Sequence, residues 1–235
     1  MKWGKTFNYK YDLNSNILPQ FRVAFVLYIL FGLIYLGSFW AEIPEVRSVL
    51  KPFLIPVLSY FYWGQATFRK TAILGALFFS FLGDVFLMGS GTLFFLLGLL
   101  SFLGAHLCYM SVLWPLWKPL AFKIKSIPIL LYGFYAFGLL SFLWPVLEDL
   151  KIPVLIYALA LSFHGVVSLS LALAQGKRLW YLGLGIFLFI LSDSMIALNS
   201  FYFNADYFRE WVMTTYLSAQ ALIILYFIGI NQKKQ

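Results

Sequence analysis

Eight long apolar stretches, separated by short polar loops, cover most of this chain. They span about residues 21–40, 51–67, 70–89, 92–115, 126–147, 152–175, 179–203 and 210–231. Most of them are close to the roughly 20 residues that an α-helix needs to cross a bilayer. The second stretch is the shortest and contains two prolines, which predicts a kink or a start in the membrane interface. The pattern as a whole predicts an all-α integral membrane protein, a single bundle of eight transmembrane helices.

The composition agrees with a protein that lies in a bilayer. Of the 235 residues, 62% are hydrophobic and 11% are charged, whereas soluble domains contain about 25% charged residues. The loops are too short to hold a soluble domain, so we expect one transmembrane domain over residues 1–235. Within it, residues 1–20 form a polar cytoplasmic segment and residues 232–235 a cytoplasmic tail. No cleavable signal sequence is recognised before the first apolar stretch.

The net charge of +8 indicates an orientation in the membrane and not a nucleic-acid partner. Basic residues are spread over many loops and do not form the single basic face that nucleic acid requires. Most of them lie in the N-terminal segment, near residues 69–70, 118–125 and 177–178, and at the C-terminus. Cytoplasmic loops are rich in lysine and arginine. Eight spans with both termini in the cytoplasm therefore fit every loop, and a bacterial source would place the protein in the cell or inner membrane.

Two aspartates interrupt the apolar stretches. Asp84 lies in the third stretch, within SFLGDVFLM, and Asp193 lies in the seventh, within FILSDSM. A charge inside a bilayer costs about 3 kcal/mol or more, so an intramembrane acid indicates a functional site. Both acids are about 14 residues from the cytoplasmic ends of their stretches, or about 21 Å along a helix. We therefore expect them at one depth, facing one cavity.

The two acids suggest proton chemistry. Because no basic residue is predicted inside a span beside them, at least one should be protonated at neutral pH. An acid and a carboxylate in one apolar site form an acid/base pair, and glycosidases use such a pair to reach an oxocarbenium-like transition state. The residues thus predict acid-catalysed hydrolysis of a lipid. The alternatives are a proton-coupled transporter or flippase for a lipid or small molecule, and a binding or sensor protein in which the acids only join helices.

Seven further polar side chains are expected to line the cavity and bind the substrate, because polar side chains in membrane helices tend to point inward. They are Lys51, Ser80, His106, Tyr109, Asn199, Tyr216 and Gln220. Lys51 is predicted at the outer mouth of the second stretch, where it would receive a headgroup phosphate. Only two histidines are present, on different stretches, and a core position is the alternative interpretation for His106 and the main one for His164. Zinc hydrolases need more ligands than this, so we expect no metal and no cofactor.

The two halves of the chain show a weak internal similarity. The second and sixth stretches both open with a lysine followed by a proline, and the third and seventh each contain an intramembrane aspartate. A parallel repeat of four plus four helices would place the two acids in equivalent positions. This repeat is a hypothesis, since the spacings in the two halves differ.

The polar motifs together resemble the YhhN family, which includes the transmembrane lysoplasmalogenases. In chain order they are Lys51-Pro52 with Pro56, Ser80-x-x-Gly83-Asp84-x-x-Leu87, Gly98 with Phe102 and Ala105-His106-Leu107-x-Tyr109, Ser192-Asp193-Ser194, and Thr215-Tyr216-x-x-Ala219-Gln220. The resemblance implies an eight-span fold and hydrolysis of the vinyl ether of a lysoplasmalogen. The implied products are a fatty aldehyde and glycerophosphoethanolamine or glycerophosphocholine, and the implied catalytic acids are Asp84 and Asp193. A lysophospholipid substrate and membrane lipids are the expected partners.

Overall fold

A computed structural model describes residues 19–66 and 71–231, and this part of the chain is almost entirely helical. Its α-helices are α1 Pro19–Trp40, α2 Pro44–Gln65, α3 Thr71–Phe86, α4 Thr92–Trp117, α5 Phe122–Leu143, α6 Lys151–Gln175, α7 Lys177–Leu198 and α8 Asp206–Asn231. Each predicted apolar stretch forms one helix, so the number and order of helices within the described ranges are confirmed. The tail at 232–235, the basic pair at 69–70 and nearly all of the predicted N-terminal segment lie outside them.

Six of the described helices, α1 and α4 to α8, are long and apolar enough to cross a membrane. Their outer faces carry many large apolar side chains; on α5, for example, Phe134 is 74% exposed and Phe137 is 72% exposed. So much exposed apolar surface suits contact with lipid, because a monomeric soluble protein rarely exposes large apolar patches. The chain is a multi-pass integral membrane protein.

The second helix is longer than its hydropathy predicts. It begins at Pro44 and has 22 residues, so the prediction of a short helix starting near Lys51 is wrong. Proline suits the first turn of a helix, where its missing N–H is not needed. The first two turns were overlooked because they contain Glu45 and Arg47, which lower the local hydropathy. As a result Lys51 lies about two turns inside α2 and not at its mouth.

The helices pack in two corresponding sets. The most extensive contacts join α3 to α4 and α7 to α8, and α1 packs on α2 as α5 packs on α6. Between the halves, α4 packs extensively on α6, whereas α8 makes smaller contacts with α1 and α2. The fourth helix of each half thus contacts the second helix of the other half. This arrangement supports the hypothesis of a four-plus-four repeat.

Gly83 allows α3 to approach α4 closely. A Cβ atom at this position would lie 2.7 Å from the ring of Phe102, and that ring is held by Phe189 and Tyr216 at centroid distances of 6.0 Å and 5.7 Å. We predict that Gly83→Ala lowers the free energy of unfolding by about 1–3 kcal/mol, the usual cost of overpacking. The loss of thermal stability in detergent measures this effect.

Gly138→Ala is the matched control for this prediction. Gly138 is also helical, but no atom lies within 4 Å of a Cβ built there. Its substitution should therefore change the stability by less than about 0.5 kcal/mol. If both variants lost the same stability, close packing at Gly83 would not be the cause.

Candidate functional site

Asp84 lies near the end of α3 and is only 2% exposed. The hydroxyl of Tyr216 on α8 donates a hydrogen bond to its Oδ2 atom at 2.9 Å. The Nζ atom of Lys51 on α2 lies 4.0 Å from its Oδ1 atom. The expectation that neither acid has a basic partner inside a span is therefore wrong for Asp84. The reason is the early start of α2, which brings Lys51 beside the carboxyl.

A hydrogen-bond network continues from the Asp84 side of the bundle along α3 and α8. The amide of Gln220 donates to the hydroxyl of Ser80 at 3.0 Å and accepts a hydrogen bond from the hydroxyl of Tyr109 at 2.8 Å. Residues four apart share a helix face. Two pairs of residues therefore join α3 to α8 one helical turn apart: Ser80 contacts Gln220, and Asp84 contacts Tyr216. All of these side chains are buried. The network orders the helices around Asp84.

Asp193 on α7 lies in a second buried cluster and is 3% exposed. The hydroxyl of Tyr157 donates to its Oδ2 atom at 2.6 Å, and Nε2 of His106 lies 2.9 Å from the same oxygen. The Nδ1 atoms of His106 and His164 are 2.8 Å apart. Oδ1 of Asp193 and Nε2 of His164 have no hydrogen-bond partner among the described residues. Asp193 is thus one end of a buried chain of three titratable side chains.

A hydrogen bond between the Nδ1 atoms of two neutral imidazoles contains one proton, because it needs one donor and one acceptor. If His106 carries that proton, its Nε2 is bare and accepts the O–H of a protonated Asp193. If His164 carries it, Nε2–H of His106 donates to the carboxyl, and Asp193 needs no proton. The protonation state of Asp193 is therefore linked to the tautomers of both histidines.

The ring of Phe189 connects the surroundings of the two acids. The ring of Phe189 lies 5.5 Å from the ring of Tyr216 and 4.2 Å from the ring of His106, measured between centroids. One phenylalanine therefore contacts a hydrogen-bond donor of each acid. Each carboxyl has its own hydrogen-bond partners, and the expectation that the two acids face one cavity stays a prediction.

A cavity of about 720 Å³ opens at the end of the bundle where α2 and α8 begin. Lys51 and Asn199 line it, and Lys51 reaches from its wall to Asp84. Asn199 also starts a π-helical turn, Asn199–Phe203, and its Oδ1 atom accepts the N–H of Ala205 at 2.8 Å. Neither acid lines this cavity, and the same holds for the other predicted substrate-binding residues: Ser80, His106, Tyr109, Tyr216 and Gln220. These seven side chains take part in the buried networks described above, and the expectation that all nine residues line one cavity stays a prediction.

Sequence reasoning missed Tyr157 and treated His164 as an ordinary core residue. A signal was present, because Tyr157 and His164 are seven residues apart on α6 and so lie on one helix face. Arg47 and Arg209 lie in predicted outer loops, where their charges indicate only an orientation, yet both line the cavity. A charged residue near a helix end can set the orientation of the protein in the membrane or bind a ligand, and hydropathy alone does not distinguish these two roles.

Comparison with known proteins places this arrangement in a family. The model of the YhhN family matches residues 46–227. The chain belongs to the YhhN family. The matched range contains both aspartates, both histidines and all seven predicted substrate-binding residues. Membership agrees with the resemblance noted in the motifs.

Several relatives in the YhhN family carry the name lysoplasmalogenase. Lysoplasmalogenase TMEM86A of Bos taurus is 34% identical over 161 residues, which are 66% of this chain and 64% of that protein. Lysoplasmalogenase TMEM86B of Sus scrofa is 37% identical over 177 residues, 73% of this chain and 71% of that protein. A lysoplasmalogenase of Mycobacterium bovis is 33% identical over 134 residues, 55% of this chain and 49% of that protein. The match thus spans slightly less than two thirds of the bovine protein, and no solved structure matches this chain significantly.

Proposed function

We propose that this protein is a membrane lysoplasmalogenase. It hydrolyses the vinyl ether bond of a lysoplasmalogen and releases a fatty aldehyde together with glycerophosphoethanolamine or glycerophosphocholine. The observation that carries the proposal is the contact between Lys51 and Asp84, which links a buried acid to a cavity large enough for a small polar molecule. The names of the YhhN relatives support the same reaction.

We assign different protonation states to the two acids. Asp84 is the carboxylate, because the ammonium of Lys51 lies beside it and balances its charge. Asp193 is the proton donor, because its contacts are to Tyr157 and His106 and include no lysine or arginine. A protonated carboxyl avoids an unpaired charge in the membrane. Two acids in different states can act as general acid and general base in one reaction.

The reaction begins when Asp193 gives its proton to the outer carbon of the vinyl ether. The neighbouring carbon becomes part of an oxocarbenium ion, which the Asp84 carboxylate stabilises. Water adds to this carbon and passes a proton to Asp84. When the resulting hemiacetal collapses, Asp84 protonates the departing glycerol oxygen and the hemiacetal hydroxyl returns a proton to Asp193. Asp193 is then protonated and Asp84 ionised, as at the start. In this proposal the ring of Phe189 moves aside when the alkenyl chain binds between the two acids.

The direct test is product analysis with the purified protein. Incubation with a 1-alkenyl lysophospholipid should release fatty aldehyde and the glycerophospho compound in equal amounts. The matched control is the 1-acyl lysophospholipid with the same headgroup and chain length, which has no vinyl ether. Release of fatty acid from the control, without aldehyde from the alkenyl lipid, would instead identify an esterase. Lipid movement across liposomes without any chemical change would favour the transporter.

The histidine pair provides a prediction on the role of Asp193. His164→Leu removes the partner that sets the tautomer of His106, so we expect aldehyde release to fall about tenfold or more. Ser170→Ala is the matched control on the same helix, since its buried hydroxyl bonds only the carbonyl of Val166 at 2.6 Å. The rates of both variants are measured against substrate concentration and pH. Equal rates in the two variants would remove the histidine pair from the mechanism.

We further propose that all eight helices span the bilayer within one domain, with both termini in the cytoplasm. The cavity then faces the outer leaflet. With Cys108 replaced by serine, Glu42→Cys and Asp149→Cys should react with a membrane-impermeant maleimide in intact cells, because both exposed side chains lie in predicted outer loops. Lys123→Cys, in a predicted inner loop, should react only after the cells are opened. Labelling of all three in intact cells would contradict this topology.

A further inference from the structure

We propose that the cavity at the start of α2 and α8 is a phosphate-binding site that takes the phosphodiester of a lysophospholipid headgroup. Three cationic side chains, Arg47, Lys51 and Arg209, line this cavity, and no aspartate or glutamate of the described residues does so. A cavity wall with several cationic side chains raises the local concentration of anions, because the charges attract them.

The two arginines favour an oxyanion such as phosphate over a simple halide. Arginine presents a planar fork of N–H donors that matches the oxygens of phosphate. The guanidinium of Arg47 lies 4.5 Å above the ring of Phe39, which holds its plane in one orientation. Arg47 comes from α2 and Arg209 from α8, so the two cations belong to the two helices that also supply partners to Asp84.

Neutral donors complete the polar part of the wall. The cavity is lined by the hydroxyl or amide side chains Ser48, Ser90, Thr92, Asn199, Ser200 and Asn204. Helix α4 begins at Thr92, and the first amides of a helix lack acceptors within the helix and favour anions. A phosphodiester has several oxygens to satisfy, and this wall offers donors on more than one side.

The rest of the wall suits a lipid headgroup and not an isolated ion. Two aromatic pairs line it, Tyr35 with Phe39 at 5.7 Å and Phe95 with Phe201 at 5.6 Å between centroids. The volume of about 720 Å³ falls within the roughly 300–1,000 Å³ of small-molecule sites, whereas a single phosphate ion would need much less. Lys51 lies between the cavity and Asp84, so a lipid bound here has its glycerol on the side of the acid. The choice of a lysophospholipid rests on the proposed function, but the binding of a phosphodiester does not.

The test is calorimetric titration of the full chain in a maltoside detergent, which contains no phosphate. Glycerophosphocholine, inorganic phosphate and glycerol are titrated separately. We expect glycerophosphocholine to bind, glycerol not to bind, and the double variant Arg47→Gln/Arg209→Gln to weaken the binding at least tenfold. Arg22→Gln is the matched control, because Arg22 is an exposed cation on α1 that does not line the cavity, and it should bind as the wild type does. The melting temperature of the glutamine variant shows whether that variant is still folded. Arg47→Lys/Arg209→Lys keeps the two positive charges and should bind more tightly than the glutamine variant.

Three results would overturn the inference: no binding of glycerophosphocholine, binding that the glutamine variant leaves unchanged, or binding of inorganic phosphate alone.

A kinetic measurement of aldehyde release by the same variants separates this inference from the proposed function. A wild type that binds glycerophosphocholine but releases no aldehyde would contradict the reaction and leave the phosphate site intact. Aldehyde release with the same KM in wild type and glutamine variant would contradict the phosphate site and leave the reaction intact. The inference expects KM for the alkenyl lysophospholipid to rise at least tenfold in the glutamine variant and to stay unchanged in Arg22→Gln.

Discussion

Asp84→Asn and Asp193→Asn should each lower the rate of aldehyde release by about 100-fold or more, the usual contribution of a general acid or base. An amide has nearly the shape of a carboxyl but neither delivers a proton to carbon nor carries a negative charge. The hydroxyl of Tyr216 retains an acceptor in Asp84→Asn, and the hydroxyl of Tyr157 retains one in Asp193→Asn. The loss should therefore appear in kcat at saturating lipid, with the fold preserved.

The control for this pair is Asp149→Asn, which removes a carboxyl from an exposed position outside both clusters. Its rate should equal that of the wild type. Melting temperatures of all three variants distinguish a lost reaction from a lost fold. A rate within tenfold of the wild type in either intramembrane variant would exclude that acid from proton transfer. A large drop in melting temperature with an unchanged rate would indicate that the acids only join helices.

Lys51→Met should destabilise the protein and also lower aldehyde release. Removing one member of a buried ion pair leaves the other charge unbalanced, which costs 3–5 kcal/mol in a fully buried pair. Lys51 retains 14% of its side-chain exposure and lies 4.0 Å from Asp84, so we expect a smaller loss of about 2 kcal/mol. The measurement is thermal or denaturant unfolding in detergent, together with the rate. Lys51→Arg keeps the positive charge and serves as the matched control.

The double variant Lys51→Met/Asp84→Asn tests whether the two side chains act as a pair. Its loss of stability should be smaller than the sum of the two single losses. Each single variant leaves one buried charge without its partner, whereas the double variant removes both charges. A coupling of about 1–2 kcal/mol is expected for residues in direct interaction. Strict additivity would show that Lys51 and Asp84 do not stabilise each other, and the assignment of Asp84 as the carboxylate would then lose its basis.

The sequence by itself determined the number and order of the helices in the described ranges and that the chain is a membrane protein. Transfer of an apolar side chain from water to lipid is a property of each residue, so its sum along a stretch identifies a helix without knowledge of its neighbours. For the same reason Asp84 and Asp193 stood out as exceptions within such stretches. The one helix whose start was misjudged, α2, has charged residues in its first turns, where local hydropathy no longer reports helix formation.

Only the tertiary structure decided which polar groups meet. Tyr216 is 132 residues from Asp84 in the chain, and His106 is 87 residues from Asp193. Helical periodicity shows which side chains share a face, but not which helix that face contacts. The separation of the acids into two clusters and the gathering of Arg47, Lys51 and Arg209 around one cavity therefore follow from the packing of α2, α4, α6 and α8 between the two halves of the chain. These contacts join helices that are far apart in sequence. Their energies depend on how the helices are positioned in the folded bundle, so the sequence of one helix does not predict them.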